Sequence, residues 1–140
     1  MTDRIINLYN KYISMSIQNR IELSRRSYQK MEQEFKNAYD SWNGYNYAID
    51  AAMLICYMAG LSETTYKIFV RTSGKTPEYS EFSKGACNCA RNQDAIIHHV
   101  NIKHDDLIIA VSYYAITICA CKGSLTERDK LLIDKFLRRR

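Results

Sequence analysis

The sequence predicts an all-α protein, a compact bundle of six or seven helices, and three observations carry that prediction. Proline occurs once, at Pro77, and glycine five times, too little punctuation for an all-β or loop-rich fold. Apolar residues recur at alternating steps of three and four over long stretches, which lines one face of a helix. With 140 residues and 46% hydrophobic content the chain can bury one core but not two large ones, so residues 1–140 are expected to form a single domain.

The elements follow in order. Residues 3–40 read as a long N-terminal helix. Ile21, Ser24, Tyr28, Met31, Phe35, Ala38 and Trp42 line one face, and Ile6, Tyr9, Ile13 and Ile17 continue it upstream. The phase slips over residues 16–20, as two helices or one helix changing partner would require. Asn43-Gly44 signals a turn that closes this segment. Residues 47–60 form the next helix, with Ala48, Ala51, Leu54, Ile55 and Met58 on one face. Ser62 then fits an N-cap, and Tyr66, Ile68, Phe69 and Val70 supply apolar content as far as Ser73-Gly74. Pro77 after Thr76 fits the first position of a short helix, interrupted or ended near Gly85. Residues 95–104 suit either a helix or a strand, since periodicity does not separate the two. Asp105 or Asp106 fits the cap of a helix through Cys121, with Leu107, Ile108, Val111, Tyr114 and Ile118 on its face. The last helix runs from Glu127 to Leu137.

A net charge of +5 is mild and spread along the chain, with a small concentration at Arg138, Arg139 and Arg140. It permits contact with nucleic acid or an anionic surface without arguing for either. Five cysteines make an odd count, and three of them lie in apolar helical runs, unlike a disulfide framework. The first residues lack an uninterrupted apolar region and a cleavage site, so no signal peptide is read there. The longest apolar stretches, about a dozen residues, fall short of the roughly 20 that span a bilayer. A cytoplasmic setting without a transmembrane segment is therefore expected.

Sliding the chain against itself by 63 residues aligns Ala52 with Ala115, Ile55 with Ile118, Cys56 with Cys119 and Gly60 with Gly123. Residues 45–74 and 107–137 thus read as a pseudo-repeat: apolar helix, glycine, hydrophobe, Ser or Thr, Glu, second helix. In the second copy these are Gly123, Leu125, Thr126, Glu127 and Asp129; in the first they are Gly60, Leu61, Ser62 and Glu63, with one residue fewer in the turn. This pattern resembles the TerB-like (tellurite-resistance-associated) family of all-helical domains. The resemblance covers about residues 45–137, as a TerB-like core, and leaves 1–42 outside as an N-terminal helical segment.

The resemblance implies acidic groups that gather a divalent metal, which places Glu63, Glu127 and Asp129 as the candidate ligands. The family's aspartate before the glycine, however, is Ala59 in one copy and Lys122 in the other. Hard cations take six or more oxygens, and Lys122 stands where a ligand belongs, so metal binding is expected to be lost or weak. No other cofactor is implied. Read from the residues alone, Ser62 and Thr126 are helix caps, and the acids beside them favour the positive helix end. The resemblance also implies a non-enzymatic accessory protein in a bacterial stress-response or mobile-element (phage or defence) setting.

Three further constellations need weighing. Cys87 and Cys89 precede His98, His99 and His104 at spacings that zinc tolerates, though paired C-x2-C ligands are more usual. A Cys–His nucleophilic pair is open in principle, but no phosphate loop, dinucleotide fingerprint or hydrolase motif accompanies it, so no enzyme is predicted. Cys56 and Cys119 read as equivalent core positions. Arg20, Arg25, Arg26 and Lys30, interleaved with Tyr28, Phe35, Tyr39 and Trp42, offer a nucleic-acid face together with the Arg138, Arg139 and Arg140 tail. Glu22, Glu32 and Glu34 dilute that face, and helix packing or self-association through the N-terminal helix is the simpler reading. The alternatives to a protein-contact role are thus a small basic nucleic-acid-associated protein and a weak metal-binding sensor.

Overall fold

The structure is a computed structural model, and it describes residues 2–39, 43–102 and 104–137. Among these lie eight α-helices and no strand: α1 (Thr2–Ile13), α2 (Ile17–Tyr39), α3 (Asn43–Met58), α4 (Glu63–Ser73), α5 (Tyr79–Arg91), α6 (Gln93–Asn101), α7 (Asp105–Lys122) and α8 (Glu127–Leu137). Trp42 and Arg138, Arg139 and Arg140 fall outside the described residues.

The count exceeds the six or seven expected because the long N-terminal helix is two. The phase slip is a break: Ser14 folds its hydroxyl back onto the Lys11 carbonyl, and the Ser16 hydroxyl accepts from the Asn19 amide at 3.2 Å, starting α2. Of residues 95–104, where periodicity left helix and strand open, 95–101 are helical in α6. Other boundaries move by a turn or less. Asn43-Gly44 opens α3 rather than preceding it, and Pro77 lies just ahead of α5, whose cap residue is Glu78. Helix α5 also runs through Gly85 without ending. A glycine inside a helix costs roughly 1 kcal/mol relative to alanine. Here the space is used, because a Cβ at Gly85 would sit 2.9 Å from the Met53 sulfur.

Helix α7 is the centre of the bundle. Its only acidic or basic residues are Asp105 and Asp106 at one end and Lys122 at the other, and the nearly continuous apolar run between them is buried except at Ile109 and, in part, Tyr113 and Cys121, as expected for a helix without a polar face. It packs most extensively on α2 and also meets α1, α3, α4, α6 and α8. Helix α2 contributes Tyr28, Met31 and Phe35 to this core, so the N-terminal segment is built into the same interior as residues 45–137. Tyr28 stands edge-on to Tyr114 with ring centroids 5.4 Å apart, and Tyr114 shares a 2.8 Å hydrogen bond with Thr72. No helix among the described residues is long and apolar enough to cross a membrane.

Candidate functional site

The two helix–glycine–helix junctions singled out in the sequence are α3–Gly60–α4 and α7–Gly123–α8. Both glycines have left-handed backbones, with φ of 107° at Gly60 and 88° at Gly123, which side-chain-bearing residues adopt only at a cost. Past each glycine the chain is capped as expected. The Ser62 hydroxyl accepts from the Thr65 amide at 3.2 Å. Thr126 and Asp129 form a reciprocal box: the Asp129 amide donates to the Thr126 hydroxyl at 3.1 Å, and the Thr126 amide donates to Asp129 Oδ2 at 2.8 Å.

Asp129 is nearly fully buried, with 1% of its surface exposed. Its second partner is the Lys122 ammonium, 3.2 Å from Oδ2 and 3.4 Å from Oδ1. The same ammonium also donates to the backbone carbonyl of Ala59, at the end of α3. A lysine charge on the second junction is thus held between a carboxylate of its own turn and a carbonyl of the other turn. An ammonium, with three donors and no acceptor, here donates to the kind of oxygens a hard cation would use.

The two other acidic candidates do not join this arrangement. Glu63 is exposed and pairs with Lys67 at 3.4 Å, and Glu127 is exposed and pairs with Lys130 at 3.0 Å. Among the described residues no three His, Cys, Asp or Glu side chains gather as a metal ion requires. With Glu63 and Glu127 exposed on their own helices and Asp129 bound to Lys122, the three candidate ligands do not form one donor set. The Cys87–His104 constellation gathers no three ligands among the described residues, and residues two apart on α5 diverge by about 200°. Cys89 is buried while Cys87 stays half-buried, and the His99 ring stacks on Tyr47 at 4.6 Å.

The basic candidates on α2 are engaged one by one. The Arg20 guanidinium caps two helix ends at once, donating to the Met15, Ile13 and Ala120 carbonyls at 3.1, 2.9 and 3.0 Å. Arg25 bonds Glu22 and the Arg71 carbonyl, Arg26 lies 3.6 Å from Glu22, and Lys30 lies 3.0 Å from Glu34.

Burial holds the core thiols protonated. It pushes Cys119 and Cys89 up to about 12 and Cys121 up to about 11, and raises Cys56 as well, with Cys119 beside Cys56 adding to the effect. A thiolate is the nucleophilic form, so none of these four thiols is poised for attack at neutral pH.

A second feature was not visible in the sequence. Between α3, α5 and α6 lies an open groove of about 430 Å³, lined by Tyr47, Asp50 and Met53 from α3, Gly85, Asn88 and Cys89 from α5, and Asn92, Ala95, Ile96 and His99 at and along α6. Tyr47 and Asp50 share a helix face, as do Asn88 and Asn92, but the three helices meet only through tertiary packing. Burial raises the Asp50 carboxyl above its ordinary range. The one polar contact it makes among the described residues is the weak Cys89 thiol, at 3.8 Å.

No protein-family model, curated protein or solved structure matches the chain.

Proposed function

We propose that the chain is a non-enzymatic accessory protein that acts through protein contacts, built on a TerB-like double helix–turn–helix whose cation has been replaced by a lysine. The observation that carries this reading is the Lys122 ammonium, held by Asp129 and the Ala59 carbonyl. Ala59 and Lys122 are 63 residues apart, as are the neighbouring Cys56 and Cys119, which is the spacing of the pseudo-repeat. Equivalent positions of two copies meet in this way when the copies face each other across an approximate two-fold axis. An internal charge at that meeting point holds the junctions together without a metal, and so leaves no ion-dependent switch. A stress-response or mobile-element (phage or defence) setting accords with the resemblance.

Melting curves test the reading. Wild-type protein is expected to melt at the same temperature with and without millimolar Ca²⁺, Mn²⁺ or Zn²⁺, whereas a bound ion raises the midpoint by linkage. A midpoint that rises with one of them would return the protein to the metal-sensor class. Binding to nucleic acid that weakens steeply with salt would favour the nucleic-acid class instead. Quantitative cross-linking in the native cell, with a stoichiometric protein partner as the expected product, completes the test.

A further inference from the structure

The α3–α5–α6 groove carries an inference independent of the lysine-bridged junctions. We infer that it is a binding site for a monovalent organic cation of the guanidinium or alkylammonium type, with Asp50 as counter-ion and the Tyr47–His99 stack as the wall on which the cation lies.

Four observations converge on that chemistry. The groove, at about 430 Å³, falls within the 300–1,000 Å³ range of small-ligand sites. Among the described residues its single acidic lining residue is Asp50, and no Lys or Arg lines it. Among the described lining residues an anion would meet a half-buried carboxylate with no cation to balance it. Asp50 has only a thiol for a hydrogen-bond partner among the described residues, and a thiol is a weak donor. A cation offsets the burial that raises this carboxyl.

The wall also favours a cation. Tyr47 and His99 stack with rings 4.6 Å apart and 27° between planes, and Tyr39 braces both, edge-on to His99 at 6.0 Å and tilted to Tyr47 at 5.1 Å. The Tyr39 hydroxyl donates to the His99 carbonyl, which fixes the last turns of α6 against α2. Aromatic faces attract ammonium and guanidinium groups within about 6 Å. Asn88 and Asn92 line the same groove with amide groups; Asn88 Oδ1 accepts from Arg91 at 3.2 Å, and an amide oxygen has a second lone pair for an N–H of a planar cation. Among the described lining residues one carboxylate is far from the six or more oxygens a hard divalent metal takes. Gly85 belongs to the design: a side chain there would displace Met53 from the floor.

The test is a titration of the full chain with n-butylguanidinium and n-butylammonium, followed by amide chemical shifts. The neutral isostere n-butylurea is the control. Saturable shifts at Tyr47, Asp50, Asn88, Asn92 and His99 are expected for the cations and not for the urea. Asp50→Asn should weaken binding by about tenfold or more, the scale of a lost charge-assisted contact. That variant removes a burial penalty and is expected to melt no lower than wild type, so loss of binding will not be confused with loss of fold. A capped Gly-Gly-Arg-Gly-Gly peptide separates the two sources of the cation. Binding tighter than butylguanidinium assigns the groove to an arginine presented by a partner protein, and equal binding assigns it to a free amine or guanidine. No saturation by either cation up to millimolar concentration, equal binding of the urea, or equal binding by Asp50→Asn would overturn the inference.

Discussion

At the α3–α4 junction the third residue after the cap is Thr65; at the α7–α8 junction it is Asp129. Both side chains are buried, and both complete the capping turn. Thr65 closes on itself, donating its hydroxyl to the Gly60 carbonyl at 2.9 Å. Asp129 brings a charge into the interior and is matched by Lys122, whose ammonium then reaches across to Ala59. The first junction is a neutral turn that satisfies its own groups. The second is an ion pair that satisfies its own turn and one carbonyl of the first. The same local design has thus been completed once by a hydroxyl and once by a buried charge, and the two versions should fail very differently.

The largest difference is expected on removing the third residue. Asp129→Ala leaves the Lys122 ammonium, itself 13% exposed, without its carboxylate and also breaks the cap. Uncompensated buried charge of this kind costs about 3–5 kcal/mol, which urea unfolding would register as a large drop in midpoint. Thr65→Ala loses a neutral hydroxyl and is expected to cost about 1 kcal/mol. Equal losses at the two positions would mean that the ion pair adds nothing to the turn. In the Lys122→Met and Asp129→Asn double variant the loss should be smaller than the sum of the single losses, because neither charge is left alone.

Next come the caps and the thiols. Ser62→Ala and Thr126→Ala are each expected to cost about 1 kcal/mol, with Thr126→Ala the larger because it also loosens the Asp129 side of the box. The thiols beneath the junctions give a pH signature. Cys119 is raised by burial from 9.0 to about 12, and Cys56 is raised too. Above pH 9 the unfolded chain has released these protons while the folded chain keeps them. The unfolded state then binds fewer protons, and stability falls as pH rises, by up to about 1.4 kcal/mol per pH unit for each thiol. Unfolding followed between pH 8 and 11 should show this decline, reduced in Cys119→Ala, and native thiols should alkylate slowly except at half-buried Cys87.

Much of the local architecture was legible before the structure. The helix faces, the two glycines and the caps Ser62 and Thr126 follow from short-range rules about period, backbone handedness and orphan amides. What escaped depends on reach across the fold. Lys122 could be read as the loss of a metal ligand, but not as the replacement cation, because its partner Ala59 is reached through a backbone carbonyl that carries no sequence mark. Arg20 looked like part of a basic face and instead ties α1 to α7 through three carbonyls. The groove escaped for the same reason: Asp50, Asn88 and His99 are ordinary residues on separate helices until packing brings them together.

The smallest expected effects fall on the acids that the family resemblance singled out. Glu63 and Glu127 occupy equivalent first-turn positions, and each pairs with a lysine on its own helix. Such exposed pairs, and the favourable helix-end position, contribute about 0.5 kcal/mol or less each. Glu63→Gln and Glu127→Gln should therefore melt within a degree or two of wild type, in low salt and high salt alike. Neither substitution should alter the response to divalent cations, because neither carboxylate faces the Lys122 ammonium. A metal-dependent midpoint that disappears in Glu127→Gln would require that carboxylate to swing inward and displace the lysine. The contrast between a neutral junction and a lysine-bridged one would then give way to one between an empty and an occupied ion site.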